Sequence, residues 1–171
     1  MPDIVDPGKY PVSQEEMGKK YKTWTESLAR YVVWLYRIGK ETGGEKFVEK
    51  VKEKFFEEGL KSSKGLMEMT GTSPDDFKNC GNVYKVWDTI DETAANYWHG
   101  YVENSPKAFE KELYTCPGAK AYSKEPEICS LCIESWCKGV VKGLNPKFDM
   151  SFSKLMPNGD NVCRYRVEIK E

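Results

Sequence analysis

The chain has a single histidine, His99, among its 171 residues, and no long hydrophobic run. Its longest apolar stretch is about five residues near Tyr31 to Tyr36, far short of the ~20 needed to span a bilayer. That excludes a transmembrane helix, and a multi-histidine metal centre is excluded by count. The formal net charge is -1 with 31% charged residues, so there is no basic excess to hold nucleic acid and no acidic tail. The segment Met1–Glu16 has no apolar core of a secretory leader, so the expected compartment is cytoplasmic and the expected state of the thiols is reduced. Internal repeats and low-complexity tracts are also lacking.

Aromatics are plentiful at 13%, with five Trp and ten Tyr, enough to wall a pocket as well as fill a core. A chain this long buries roughly 70% of its unfolded surface, so it folds without a disulfide framework. The six cysteines are unevenly placed: Cys80 stands alone, and Cys116, Cys129, Cys132, Cys137 and Cys163 fall in the last third. Three of them crowd into ICSLCIESWC, a C-x2-C-x4-C spacing.

Residues 1–12 carry three Pro and one Gly and read as an extended arm. Ser13-Gln14-Glu15-Glu16 is a capping-box pattern that opens a long helix to about Lys40. Its apolar positions Met17, Tyr21, Trp24, Leu28, Tyr31, Leu35 and Ile38 alternate steps of four and three, a heptad stripe. Such a stripe either packs on the chain's own helices or pairs with a twin in a homodimer. Tyr21, Trp24 and Tyr31 are bulky for a tight two-stranded coil, which favours packing within the subunit or a swapped arm. Thr42-Gly43-Gly44 stops the helix.

A second helix is expected from Glu45 towards Met69, with Phe47, Val51, Phe55 and Leu66 on one side and a weak middle at Gly59 and Ser62–Gly65. Thr72-Ser73-Pro74-Asp75-Asp76 reads as the cap of a third, with Phe77, Cys80, Tyr84 and Trp87 inward. The period then changes to two. Asn96 to Glu103 puts Tyr97, His99 and Tyr101 on one face, and Ala108 to Thr115 is its hairpin partner. A helix from Pro126 to about Gly143 and a second hairpin, Phe148 to Leu155 with Val162 to Ile169, complete the chain. The expected fold is α+β: N-terminal helices, then two β-hairpins forming a four-stranded antiparallel sheet with an intervening helix packed on it. Two regions are expected, 1–43 as arm and long helix and 44–171 as a cysteine-rich domain.

The cysteine set admits three readings. Cys116, Cys129, Cys132, Cys137 and Cys163 can ligate zinc or an iron–sulfur cluster. One of them can be a reactive thiol, with His99 as the base for Cys116. Or they are buried apolar residues, as free Cys often is and as Cys80 is read. At 100° per residue Cys129 and Cys132 lie ~60° apart on one helix face, with Cys137 ~80° to the other side. Glu134 on the same helix is a hard ligand, a base or a solvated acid. Trp98, Trp136, Tyr101 and Tyr97 are candidate walls of a substrate pocket, and Arg164 and Arg166 either hold a substrate carboxylate or line an exposed strand face.

Tyr114-Thr115-Cys116-Pro117, Pro126-Glu127-Ile128-Cys129, Gly143-Leu144-Asn145-Pro146 and Gly159-Asp160-Asn161-Val162-Cys163-Arg164-Tyr165 together resemble the L-2-amino-thiazoline-4-carboxylate hydrolase family. That family is similar in layout to the 4-vinyl-reductase-type small-molecule-binding domains. The resemblance covers about residues 45–170. It implies an α+β ligand-binding fold with Cys116, Cys129 and Cys163 at family positions, and Leu155 where those domains carry a further Cys. Cys132 and Cys137 are additions of this chain. The implied function is a small-molecule hydrolase acting on a polar sulfur- or nitrogen-containing compound at a cysteine-lined site, with Cys116, Cys129 and His99 as catalytic residues and zinc or an iron–sulfur cluster as its metal. Two alternatives stand beside it: a non-catalytic ligand-binding or sensor module with a structural cysteine-bound metal, and a thiol redox or persulfide-handling protein.

Overall fold

The computed structural model describes residues 14–93 and 98–170. The proline-rich arm, the Ser13 cap and Tyr97 lie outside the described residues.

Helix α1, Gln14–Thr70, is bent at Gly44, whose φ of 57° is non-helical and left-handed. The expected stop at Thr42-Gly43-Gly44 is therefore a corner between two helical arms. Phe47 turns back over Gly39, where a methyl group would overlap its ring, and packs its ring 6.1 Å from that of Tyr36. The first arm buries Ala29, Val33 and Tyr36 in a small cluster with Ala121, Ile128 and Cys132, joined by Phe47, Val48, Val51 and Phe55 of the second arm.

The weak middle expected at Gly59–Gly65 is continuous helix. Its small residues answer a packing demand. A Cβ on Gly59 would overlap the Trp136 carbonyl, one on Gly139 would overlap the Phe56 carbonyl, and Gly143 meets Ser63. These residues let α1 cross closely over α4, Glu134–Leu144. The ~1 kcal/mol that Gly costs a helix is the condition of that approach.

The third expected helix is divided. Pro74–Lys78 and Cys80–Val83 are 3₁₀ turns separated by the extended Asn79, and α2 follows at Tyr84–Thr93. Ser73 donates from its amide and hydroxyl to Asp76 Oδ2, each at 3.0 Å. Phe77, Cys80 and Trp87 point inward as expected, whereas Tyr84 is exposed.

Strands β1 (His99–Asn104), β2 (Ala108–Leu113), β3 (Phe148–Lys154) and β4 (Cys163–Ile169) form one antiparallel sheet of order β1-β2-β4-β3. The α+β class and the four-stranded sheet made from two hairpins are thus as expected. The inner face carries Phe109, Leu113, Phe148, Met150, Cys163, Tyr165 and Val167, packed against Val86 and Trp87 of α2 and Val140, Val141 and Leu144 of α4. The outer face is an ion ladder. Arg164 holds Glu110 at 2.5 Å, and Arg166 holds Glu103 at 2.6 Å and Glu110 at 2.9 Å.

The helix expected from Pro126 to about Gly143 is present over residues 127–144, with a π-turn at Cys129–Ile133 that runs into α4, and a separate short helix, α3, Ala119–Tyr122, precedes it. The wider turn breaks the 100° step on which the alignment of Cys129 with Cys132 rested.

Candidate functional site

The cysteines come first, because the sequence points to them. Cys116 follows β2 and sits half-buried where the amides of Gly118 and Ala119 face its sulfur. Cys163 opens β4, and its sulfur accepts the Met156 amide at 3.3 Å. Cys129 lies near both, in the core under the sheet, as does Cys137. Cys132 does not join them in that core, because the π-turn places it in the cluster beneath the first arm of α1. Burial pushes the Cys129 thiol up to about 12, with Cys116, Cys163 and Cys132 adding to the shift. Burial also pushes Cys163 and Cys132 to about 11, and it raises Cys116 and Cys137. These thiols hold their protons at neutral pH, which is the environment of structural rather than nucleophilic cysteine.

His99 is placed away from the role given to it. Its Nε2 lies 3.8 Å from Asp88, its ring packs on Tyr101, and its buried Nδ1 has no partner. Glu134 is paired with Lys138 at 2.6 Å, and Arg164 and Arg166 are engaged in the outer-face ladder. Trp98 is 72% exposed, Trp136 packs on the main core beside the α1–α4 crossing, and Tyr101 bonds Asp88 on α2.

None of those three aromatics borders the cleft on which Cys116 opens. That cleft has a volume of about 610 Å³. It lies between the start of α1 (Gly18, Tyr21, Lys22, Glu26) and the Tyr114–Pro117 segment, with Met156 and Lys120.

A polar centre that the sequence reading missed lies inside the sheet. Lys111 occupies an inward position of β2, opposite Tyr101 and Tyr165, and is fully buried. Its Nζ donates to Asp88 at 2.7 Å and to Asp91 at 2.5 Å, both on α2. Tyr165 donates to Asp91 at 3.3 Å, and Tyr101 donates to Asp88. Burial raises the Asp91 carboxyl above its usual range, against the pull of Lys111. The signal available in the sequence was the alternation of β2, which puts Lys111 in phase with Phe109 and Leu113.

The third feature is the outside of the first arm. The face that packs on the body is Ala29, Val33 and Tyr36, centred roughly 130° round the helix from the heptad stripe. Tyr21 reaches back to the body, its hydroxyl donating to the Thr93 carbonyl at the end of α2, and the rest of the stripe is turned outward. Met17, Trp24, Leu28, Tyr31 and Leu35 are 50–65% exposed, Tyr21 and Ile38 are 37% and 40%, and Trp34 at 60% widens it. Packing of the stripe within the subunit is thereby corrected: the arm has two apolar faces, and the subunit uses the other one. Monomers rarely present so large a contiguous apolar patch unless something binds there.

The sequence matches no family model and no curated protein. The fold is similar to that of a trafficking protein particle complex subunit 3 from Naegleria fowleri, solved covalently bound to palmitic acid. The TM-score is 0.66 at 13% identity, over 88% of this chain and 97% of that one. These findings overturn the resemblance to the amino-thiazoline-carboxylate hydrolase family and, with it, the enzyme reading: the shared fold is that of a trafficking complex subunit. The zinc and iron–sulfur readings are corrected as well. Among the described residues no group of three or more His, Cys, Asp or Glu is placed to hold a metal ion. The sensor reading built on a cysteine-bound metal loses the same support. Among the described residues no helix is long and apolar enough to cross a membrane.

Proposed function

We infer that the chain is a non-catalytic assembly subunit whose working surface is the outer face of the first arm of α1, and that its first partner is its own twin, in a homodimer through that helix. The observation that carries this reading is the exposed run Met17, Tyr21, Trp24, Leu28, Tyr31, Trp34, Leu35 and Ile38. The likeness in fold to a subunit of a multi-protein particle supports it. A cytoplasmic location fits the same reading.

The test is the mass of the full chain in solution, by light scattering, for the wild type and for Trp24→Glu. The wild type is expected at about twice 19.6 kDa and the variant at 19.6 kDa and still folded with a cooperative melt, because Trp24 is 65% exposed. A wild type that stays at the single-chain mass at its highest soluble concentration contradicts the reading.

One observation favours a second reading. Cys116 opens on a largely apolar cleft between Tyr21, Tyr114, Pro117 and Met156. A fatty acyl group as a thioester on this sulfur would lie there, as the neighbour's palmitate suggests for its own chain. Intact mass before and after hydroxylamine checks it. An adduct that hydroxylamine removes, and that Cys116→Ser lacks, supports it; an unmodified wild type from cells able to acylate thiols contradicts it.

A further inference from the structure

The geometry points to an antiparallel pairing of two α1 first arms in one register, centred between Leu28 and Tyr31; this rests on the docking reading and specifies how the two copies meet.

The area is adequate. A fully buried aromatic side chain contributes ~150–250 Å², so the exposed parts of these eight side chains sum to on the order of 800 Å² per copy, the share a stable interface takes from each partner. From Trp24 to Ile38 the body does not stand in the way, and Tyr21, whose hydroxyl donates to the Thr93 carbonyl, marks the edge of the seam. With 100° per residue, the buried face around Ala29, Val33 and Tyr36 lies roughly 130° round the helix from the centre of the stripe, so each body points away from the partner helix.

Side-chain volume selects the direction. In a parallel pair each stripe residue meets its own copy, so Tyr21, Trp24 and Tyr31 would face Tyr21, Trp24 and Tyr31 of the twin, aromatic on aromatic in three layers. That is the crowding that argues against a tight two-stranded coil. In the antiparallel register centred between Leu28 and Tyr31, Tyr21 faces Ile38, Trp24 faces Leu35 and Leu28 faces Tyr31. Every aromatic then meets an aliphatic, and large and small alternate along the seam.

Charge selects the same register independently. Beside the stripe, on the side away from the body, the flanking positions are Lys20, Ser27, Trp34 and Glu41. In this register Ser27 lies opposite Trp34, which leaves room for the indole. Lys20 lies opposite Glu41, and twofold symmetry makes that ion pair twice. On the body side Thr25 faces Val32 and Gly18 faces Gly39, with no charge to bury. Sliding the helices by one heptad sets Lys20 against Trp34 and Tyr21 against Tyr31, losing both the ion pair and the alternation.

The experiment is sedimentation equilibrium at low salt on the full chain and on Lys20→Glu, Glu41→Lys, the double reversal and Leu28→Glu. Each single reversal is expected to raise the dimer Kd about 3- to 10-fold, since two attractive exposed pairs become repulsive, and high salt is expected to erase the difference. The double reversal is expected to return the Kd to within about twofold of wild type, because the same two pairs re-form with opposite polarity. Glu41→Lys is the cleaner single, because Lys20 also pairs with Glu16 in its own helix at 3.0 Å. Restoration in the double variant supports the register. A dimer that Leu28→Glu abolishes but that ignores the reversals, or a double variant weaker than both singles, overturns the register while the docking reading stands. A wild type that is monomeric throughout overturns both.

Discussion

Lys111 reaches from β2 to Asp91 on α2, Nζ to Oδ2 at 2.5 Å, with the lysine fully buried and the aspartate nearly so. Two acids, Asp88 and Asp91, answer this one cation inside the sheet. Removing the cation strands them. Lys111→Met should cost ~3–5 kcal/mol in urea denaturation, the usual penalty for breaking a buried pair from one side. A loss below ~1 kcal/mol, the scale of an exposed pair, would mean that the cluster is solvated.

The same cluster sets a pH dependence. Burial raises Asp91 above its ordinary value of 3.8, so the folded chain keeps that proton to higher pH than the unfolded chain does. Protonation is therefore favoured by folding. The contribution of Asp91 to stability is full below 3.8 and is lost as pH rises through the raised folded value. Asp91→Asn removes this slope. Denaturation of both proteins across the acid range should show wild type losing ground to the variant with rising pH; the opposite trend would show that Lys111 outweighs burial.

Gly59 and Gly139 sit against one another where α1 crosses α4, and a methyl on Gly139 would lie 3.0 Å from Gly59 Cα and overlap backbone beyond it. Alanine at either position should destabilise by ~1–3 kcal/mol through overpacking. Gly65, in the same helix with nothing within 4 Å, is the control. Gly65→Ala should stabilise by ~0.5–1 kcal/mol through backbone entropy. Equal effects at both sites in thermal melts would contradict the close crossing.

Among the six thiols, Cys116 alone is half-exposed and the other five are buried. A folded chain treated with a thiol reagent at neutral pH should lose one thiol per chain slowly, consistent with the raised thiol, and the rest only on unfolding. Cys116→Ser should abolish the early phase. Several fast thiols would show that the burial of Cys129 and Cys163 is not maintained.

Much of the architecture was legible from periodicity. The strands at His99–Asn104, Ala108–Leu113 and Cys163–Ile169 follow the alternation of period two, and Gly44 marks the end of the first arm. What local pattern cannot carry is which of two apolar faces a helix turns inward. Ala29, Val33 and Tyr36 were outweighed in the sequence by the larger Trp24, Leu28 and Tyr31, yet they are the ones that fit under Phe47 and against Ala121. The spacing of Cys129 and Cys132 misled because a π-turn leaves no trace in composition. Gly59 read as a weak point because its partner, Gly139, is distant in sequence and adjacent only after folding.

On the reading proposed above, the outer face of the first arm of α1 is where this chain meets its partner. The most direct measurement is the solution mass of wild type and Leu28→Glu by sedimentation, with melting recorded on the same samples. Leu28 is 50% exposed and belongs to neither core cluster, so the monomer should still fold. The wild type is expected to be dimeric and the variant folded and monomeric. A variant that dimerises as well as wild type, or a wild type that is monomeric at every concentration, would contradict it.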